Sequence, residues 1–171
     1  LGTTAAVVVD NPILRQTGTI VITKQIADGF DRVVADDATF SGAYVCVYAE
    51  GTDREATYNG TWTVDRTGAA TVTGDTVLPY GTTCSVTESD PSDADLIDAS
   101  WTWGQETVAA GPDTVSGDGP ASFTVTNTPV RVYSALAITK VLTGPAEGFT
   151  DPALTVSGTW VCTYPGEAPI S

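Results

Sequence analysis

The sequence predicts an all-β protein built from immunoglobulin-like β-sandwiches in a tandem repeat array, and three observations carry this prediction. Thr, Val, Gly and Asp dominate a chain of 171 residues that contains no Met and no His, a composition typical of short strands joined by tight turns. Segments of alternating apolar and polar residues recur between turn signals. The same motifs return after 116 positions, which indicates that one structural unit is repeated.

Seven strands are predicted within one unit. The segment 18–24 sets the pattern, because Ile20, Ile22 and Lys24 alternate with Thr and Val at the two-residue period of a half-buried strand. Turns rich in Gly, Asp and Pro separate most of the strands. The predicted strands lie near residues 18–25, 38–49, 56–66, 69–78, 82–89, 99–108 and 121–131. Seven short strands in a unit of this length favour an immunoglobulin-like sandwich.

The repeat also predicts the domain boundaries. Three pairs of residues are 116 positions apart: Lys24 and Lys140, Cys46 and Cys162, and Asn11 and Asn127. The segments 39–48 and 155–164 match each other in sequence as well. We therefore predict that residues 1–15 are the last strand of a preceding repeat and that residues 16–131 form a complete β-sandwich repeat. Residues 132–171 are then the first strands of a following repeat.

The charge of the chain limits the partners that it can bind. Its formal net charge is −14, from 21 acidic and 7 basic residues. Nucleic acid is therefore not an expected partner, because binding to phosphates needs a basic patch. No apolar run is long enough to span a membrane, so we expect no membrane insertion in this segment.

Metal ions and cofactors are also not expected. The chain has neither His nor a Cys-x-x-Cys motif, which argues against a zinc site. Four aspartates form an acidic loop that could bind calcium, but their spacing matches no calcium-binding pattern and favours a solvated loop. These aspartates are Asp90, Asp93, Asp95 and Asp98.

Three polar residues occupy positions that the strand period assigns to the core. Lys24, Glu88 and Asn127 each end a row of apolar residues at two-residue spacing. Burial disfavours charge, so the pKa of the lysine should fall and that of the glutamate should rise. A neutral Lys24 amine can then attack the Asn127 amide carbon, while Glu88 polarises the carbonyl and shuttles a proton as ammonia leaves. The expected product is a Lys–Asn isopeptide bond, formed once and without a cofactor, so the chain is not predicted to be a turnover enzyme.

The order of these residues resembles that of the collagen-adhesin B-type (Cna B-type) repeats of Gram-positive surface proteins. The resemblance rests on Thr23 and Lys24, on the segment 81–88 that ends at Glu88, and on the segment 123–127 that ends at Asn127. It implies that Lys24 is the nucleophile, Asn127 the electrophile and Glu88 the catalytic acid and base. The acidic, Thr- and Val-rich composition is also similar to that of actinobacterial surface-protein repeats.

The resemblance implies a structural function. The chain would be a stalk or fibre segment of a secreted bacterial adhesin or pilus-like filament, extracellular and attached to the cell wall or cell surface. Its partners would be neighbouring repeats or subunits of the same protein. The alternative is a binding module that recognises a host protein or glycan through loops at one end. The tryptophans are interpreted as core or cross-strand residues rather than as a sugar-binding platform; they are Trp62, Trp101, Trp103 and Trp160.

Other interpretations of the candidate site remain open from the sequence. Lys24 could be a surface lysine on an edge strand, where lysine discourages aggregation. Lys24 and Glu88 could form only a buried salt bridge. Glu106 could be the catalytic carboxyl in place of Glu88, and Asn127 could merely cap the turn before the next proline.

The cysteines and the flanking copies complete the set of candidate residues. Cys46 and Cys84 fall in the same predicted repeat, which predicts a disulfide between them and an oxidising, extracellular setting; two buried free thiols are the alternative. Cys162 is the repeat copy of Cys46, and its partner is expected beyond the end of this segment. Asn11 and Lys140 are expected to bond to residues of the preceding and following repeats, or of neighbouring chains by strand exchange.

Overall fold

In the computed structural model, the described residues are 9–109, 111–141, 155 and 157–163. The chain divides into two compact units, Leu1–Tyr133 and Ser134–Ser171. The predicted boundary at residue 131 is close to this division, while the assignment of the flanking segments to neighbouring repeats stays a prediction. No helix within the described parts of the chain has the length and apolar character needed to cross a membrane.

The first unit contains thirteen strands among its described residues and two short 3-10 helices, at Asp31–Val33 and Asp93–Asp95. The strands are β1 (Thr17–Gly18), β2 (Ile20–Ile26), β3 (Thr39–Tyr48), β4 (Ala56–Asp65), β5 (Gly68–Ala69), β6 (Thr71–Gly74), β7 (Leu78–Pro79), β8 (Thr82–Glu88), β9 (Trp101–Trp103), β10 (Thr107–Ala109), β11 (Asp113–Thr114), β12 (Ala121–Asn127) and β13 (Pro129–Arg131).

Two larger sheets form the sandwich. One has four strands in the order β10-β12-β2-β5, and the other has five in the order β11-β8-β3-β4-β6. Two small sheets, β1-β7 and β13-β9, accompany them. The prediction of an all-β, immunoglobulin-like fold is confirmed.

Strands β2 and β12 are the exception to the antiparallel pairing of this fold. They run parallel to each other, from Ile20 opposite Ala121 to Ile26 opposite Asn127. The first and last long strands of the unit are therefore direct neighbours, although about a hundred residues of chain separate them. This pairing brings residues from the two ends of the domain onto one face of one sheet.

The core lies between the two larger sheets and follows the two-residue period of the strands. Buried and exposed residues alternate along β2, β8 and β12, which is the pattern of strands with one face on a core. Burial of apolar surface is the main stabilising term, at about 25 cal/mol per Å². The largest apolar side chains that are almost fully buried are Trp62, Tyr44, Phe123, Ile22, Leu78, Val115 and Val125.

Two glycines make room for the largest of these side chains. Gly42 lies opposite Trp62, and Gly60 lies opposite Tyr44, on the paired strands β3 and β4. A Cβ atom on Gly42 would lie 2.6 Å from Nε1 of Trp62, and one on Gly60 would lie 2.5 Å from the hydroxyl oxygen of Tyr44. Each aromatic ring therefore passes over the strand at the one position where the opposite residue has no side chain.

Two of the predicted strands are interrupted, which corrects the sequence-based boundaries. The strand predicted at 69–78 ends at Gly74, whose φ of +102° favours glycine. The strand predicted at 99–108 breaks at Gly104, whose N–H donates to the carbonyl of Thr128 over 2.9 Å. At this break the chain changes partner, because β9 pairs with β13 and β10 pairs with β12.

Candidate functional site

Lys24 lies in the interior of the four-stranded sheet and is fully buried, with 0% of its surface exposed. Its strand β2 is paired on both sides, so that Lys24 lies between Val125 of β12 and Gly68 of β5. The interpretation of Lys24 as a surface lysine on an edge strand is therefore wrong. Its Nζ donates to the carbonyl of Gln25 over 3.1 Å and lies 4.3 Å from the centre of the Phe40 ring.

Glu88 approaches Lys24 from the opposite sheet. It ends β8, and its side chain has 0% exposure. The distance from Lys24 Nζ to Glu88 Oε1 is 3.5 Å, and neither carboxyl oxygen of Glu88 has a hydrogen-bond partner of good geometry. The two groups therefore form a dry contact that lacks the supporting hydrogen bonds a stable buried ion pair needs.

Asn127 completes the cluster from the strand next to Lys24. It ends β12 and is 1% exposed, and in the parallel register it lies opposite Ile26, two residues beyond Lys24 on the same inward face. Neither Nδ2 nor Oδ1 of Asn127 has a hydrogen-bond partner of good geometry, although the side chain is close enough to Glu88 to lower the pKa of that carboxyl. The side chain consequently does not cap the turn before Pro129, and its amide stays unsatisfied in the core.

Burial dominates the electrostatics of the cluster. It lowers the pKa of Lys24, against the opposing effects of Glu88 and Glu106, which raise it. Burial likewise raises the pKa of Glu88, and Glu106 adds to this effect, while Lys24 and the Asn127 side chain lower the Glu88 pKa. Both net shifts favour the uncharged forms, a free amine and a carboxylic acid, as the sequence predicted.

Phe40, which covers the Lys24 amine, is itself packed against an aromatic neighbour. Phe40 contacts Trp103 edge-to-face with 5.6 Å between ring centres, and the Nε1 of Trp103 donates to the carbonyl of Ser92 over 2.9 Å. Trp101 packs in the same manner against Phe30, at 6.0 Å. These tryptophans are packing residues rather than an open platform for a sugar.

Phe40 is the functional contact that the sequence analysis missed. Its inward position is readable from the alternation of β3, where it is 3% exposed. The sequence gives no sign that β3 passes over Lys24, because that contact depends on how the two sheets stack.

Cys46 and Cys84 form a disulfide, which confirms the predicted pairing and excludes two free thiols. The two residues lie directly opposite each other on β3 and β8, with Cα atoms 3.9 Å apart, and the bond closes 38 residues of chain. The same strand β8 carries Glu88, so the disulfide fixes the strand that presents the carboxyl.

The three flanking copies lie outside this cluster. Asn11, Lys140 and Cys162 are all exposed, and Cys162 is a free cysteine. Their proposed bonds to other repeats stay predictions.

Two aspartates of the acidic loop accept hydrogen bonds from the segment that follows the loop. Asp93 accepts hydrogen bonds from the Thr102 hydroxyl over 3.1 Å and from the Trp103 N–H over 3.2 Å, and Asp98 accepts from the Ser100 N–H over 2.8 Å. Among the described residues, no cluster of three or more His, Cys, Asp or Glu side chains could hold a metal ion.

Comparison with known families gives one match. The family described as a domain of unknown function, DUF5979, matches residues 20–130. The matched segment begins at the first residue of β2 and includes the buried cluster and both disulfide cysteines. No curated protein and no solved structure matches the chain.

Proposed function

The chain belongs to the DUF5979 family, and we propose that its first unit is a load-bearing segment of a stalk or fibre, tied by an autocatalytic isopeptide bond between Lys24 and Asn127. The observation that supports this proposal is the buried cluster: an amine, an unsatisfied amide and a carboxyl share one dry site. A cluster that served stability alone would satisfy these groups, because each unpaired buried polar group costs about 1–3 kcal/mol.

The proposed reaction needs only the three side chains. The buried lysine transfers a proton to Glu88, which leaves a neutral amine and a carboxylic acid. The Nζ lone pair of Lys24 then attacks Cγ of Asn127, while the Glu88 O–H polarises the amide carbonyl. A bond from Nζ to Cγ forms and the bond from Cγ to Nδ2 breaks. Glu88 moves a proton from Nζ to the leaving nitrogen, and ammonia departs.

The position of this bond supports a mechanical function. It would join neighbouring parallel strands near the two ends of the domain, so a force applied to the chain termini would pass through the bond and bypass the residues between Lys24 and Asn127. The disulfide closes a second loop of 38 residues inside the first. A domain tied in this way does not lengthen when it is pulled, which is the property that a stalk requires.

The setting and partners of the proposal follow from the same features. A disulfide is typical of an oxidising, extracellular compartment, and the resemblance to Cna B-type repeats supports attachment to a Gram-positive cell surface as part of an adhesin or pilus-like filament. Neighbouring repeats or subunits of the same protein would be the partners.

Stretching single molecules by their two ends tests this function. We expect the Asn127→Ala variant to extend about 220 Å further than the wild type, because roughly 65 residues outside the disulfide loop become free to straighten at about 3.4 Å each. The matched control is Asn59→Ala, which removes an exposed asparagine side chain from β4. Equal extension of the wild type and Asn127→Ala would contradict the proposal.

A further inference from the structure

A second carboxyl, that of Glu106, lies beside the cluster. Glu106 immediately precedes β10, in which Thr107 pairs with Thr126 of β12, so its backbone comes next to that of Asn127. It shares the inward phase of Val108, two residues later, and both are partly buried. Glu106 therefore reaches the site from the strand that flanks β12.

Glu106 also borders a cavity that Asn127 helps to line. The cavity has a volume of about 230 Å³ and is lined by Asp90, Pro91, Gly104, Gln105, Glu106 and Asn127. The cavity lies at the break in pairing between β9 and β10, where Gly104 and Gln105 join the two strands. The cavity offers a path for the ammonia that leaves Asn127, and Glu106 lines that path.

We propose that Glu106 is a positioning residue for the cross-linking reaction, which keeps a proton on Glu88 and passes protons between Glu88 and the cavity. This inference rests on the proposed isopeptide function and adds Glu106 to the residues that take part in it. The bonds formed and broken are unchanged: Nζ of Lys24 replaces Nδ2 of Asn127 on Cγ, and ammonia leaves. Glu106 takes no part in that exchange and ends the reaction in its starting protonation state.

The arrangement of charges explains why a second carboxyl would assist. Lys24 and Glu88 together hold one transferable proton, and the reactive arrangement places it on Glu88. Glu106 raises the pKa of Glu88 and so opposes the lowering effect of Lys24 on that carboxyl. A raised pKa keeps Glu88 in its acid form, which is the form that polarises the Asn127 carbonyl.

The dependence of the reaction on pH would reveal this role. The titratable groups around Glu106 are Lys24, Glu88 and, at the cavity wall, Asp90. Glu106 raises the pKa of both Lys24 and Glu88. Removing its charge should lower both values, so the bell-shaped profile of rate against pH, which reports the titration of the pair, should move to lower pH.

Cross-link formation can be timed by intact mass in samples quenched at intervals after cell-free synthesis of the full chain. We expect Glu106→Gln to form the bond about tenfold more slowly at the wild-type optimum, because relaying a proton should contribute less than direct acid–base catalysis, with its pH profile displaced to lower pH. Glu106→Asp keeps an ionisable group and should retain the wild-type profile. Asp90→Asn removes a charge from the same cavity and should change neither rate nor profile.

The outcomes separate this inference from the function on which it rests. A Glu106→Gln profile that coincides with that of the wild type would overturn the role of Glu106 and leave the isopeptide proposal standing. An Asp90→Asn profile displaced as far as that expected for Glu106→Gln would do the same. A wild-type chain that never loses ammonia would overturn both. Disulfide formation, read from the same masses, reports whether each variant has folded.

Discussion

Replacement of Glu88 by glutamine is expected to leave Lys24 and Asn127 unlinked. Glutamine keeps the shape of the side chain but cannot give or take the proton, and loss of general acid–base catalysis slows reactions by about 10²–10⁴. The wild-type chain should have an intact mass about 17 Da lower than that of the variant after allowance for the substitution, because it has released one ammonia. Non-reducing mass spectrometry of freshly purified protein measures the difference.

The Glu88→Gln variant should also be less stable. In the chain-entropy model, a cross-link that closes a loop of about 100 residues contributes about 5 kcal/mol to the free energy of unfolding. Glu50→Gln is the matched control, since Glu50 is exposed in the turn after β3. Loss of ammonia from Glu88→Gln as fast as from the wild type would refute the assignment of Glu88.

Removal of the disulfide is the second change with a large expected effect. In a Glu88→Gln background, which avoids interference from the other cross-link, replacing both Cys46 and Cys84 by alanine should lower the free energy of unfolding by about 4 kcal/mol. The estimate corresponds to the 38-residue separation of the two cysteines. Urea denaturation measures the loss.

Cys162→Ser is the control for that experiment, because Cys162 is exposed and free. It should leave the denaturation midpoint unchanged. If the double alanine variant were as stable as its parent, the disulfide would not stabilise the fold. The proposal that it acts as a second cross-link in the stalk would then be contradicted.

The inward orientation of the candidate residues could be predicted from the sequence because it depends only on strand period. Lys24 continues the apolar row of Ile20 and Ile22, and this local rule holds in the structure, where all three are buried. The pairing of Cys46 with Cys84 could likewise be inferred from their places in the repeat.

Contacts between distant strands could not be predicted in the same way. The parallel pairing of β2 with β12 joins segments about a hundred residues apart, and no periodicity in either strand specifies it. The approach of Glu106 depends on the interruption at Gly104, where the chain leaves one partner strand for another. The sequence analysis predicted one strand across this glycine, although the apolar positions change phase there, from Trp101 and Trp103 to Val108.

Peptide mapping tests the central claim most directly. Trypsin cannot cleave after a lysine whose amine is part of an amide, so a reduced and digested wild-type chain should yield one species that unites residues 16–32 with residues 67–131. This species should weigh about 17 Da less than its two parts, through loss of one ammonia, and fragmentation should place the junction at Lys24 and Asn127. Separate peptides 16–24, 25–32 and 67–131, each at its full mass, would contradict the account.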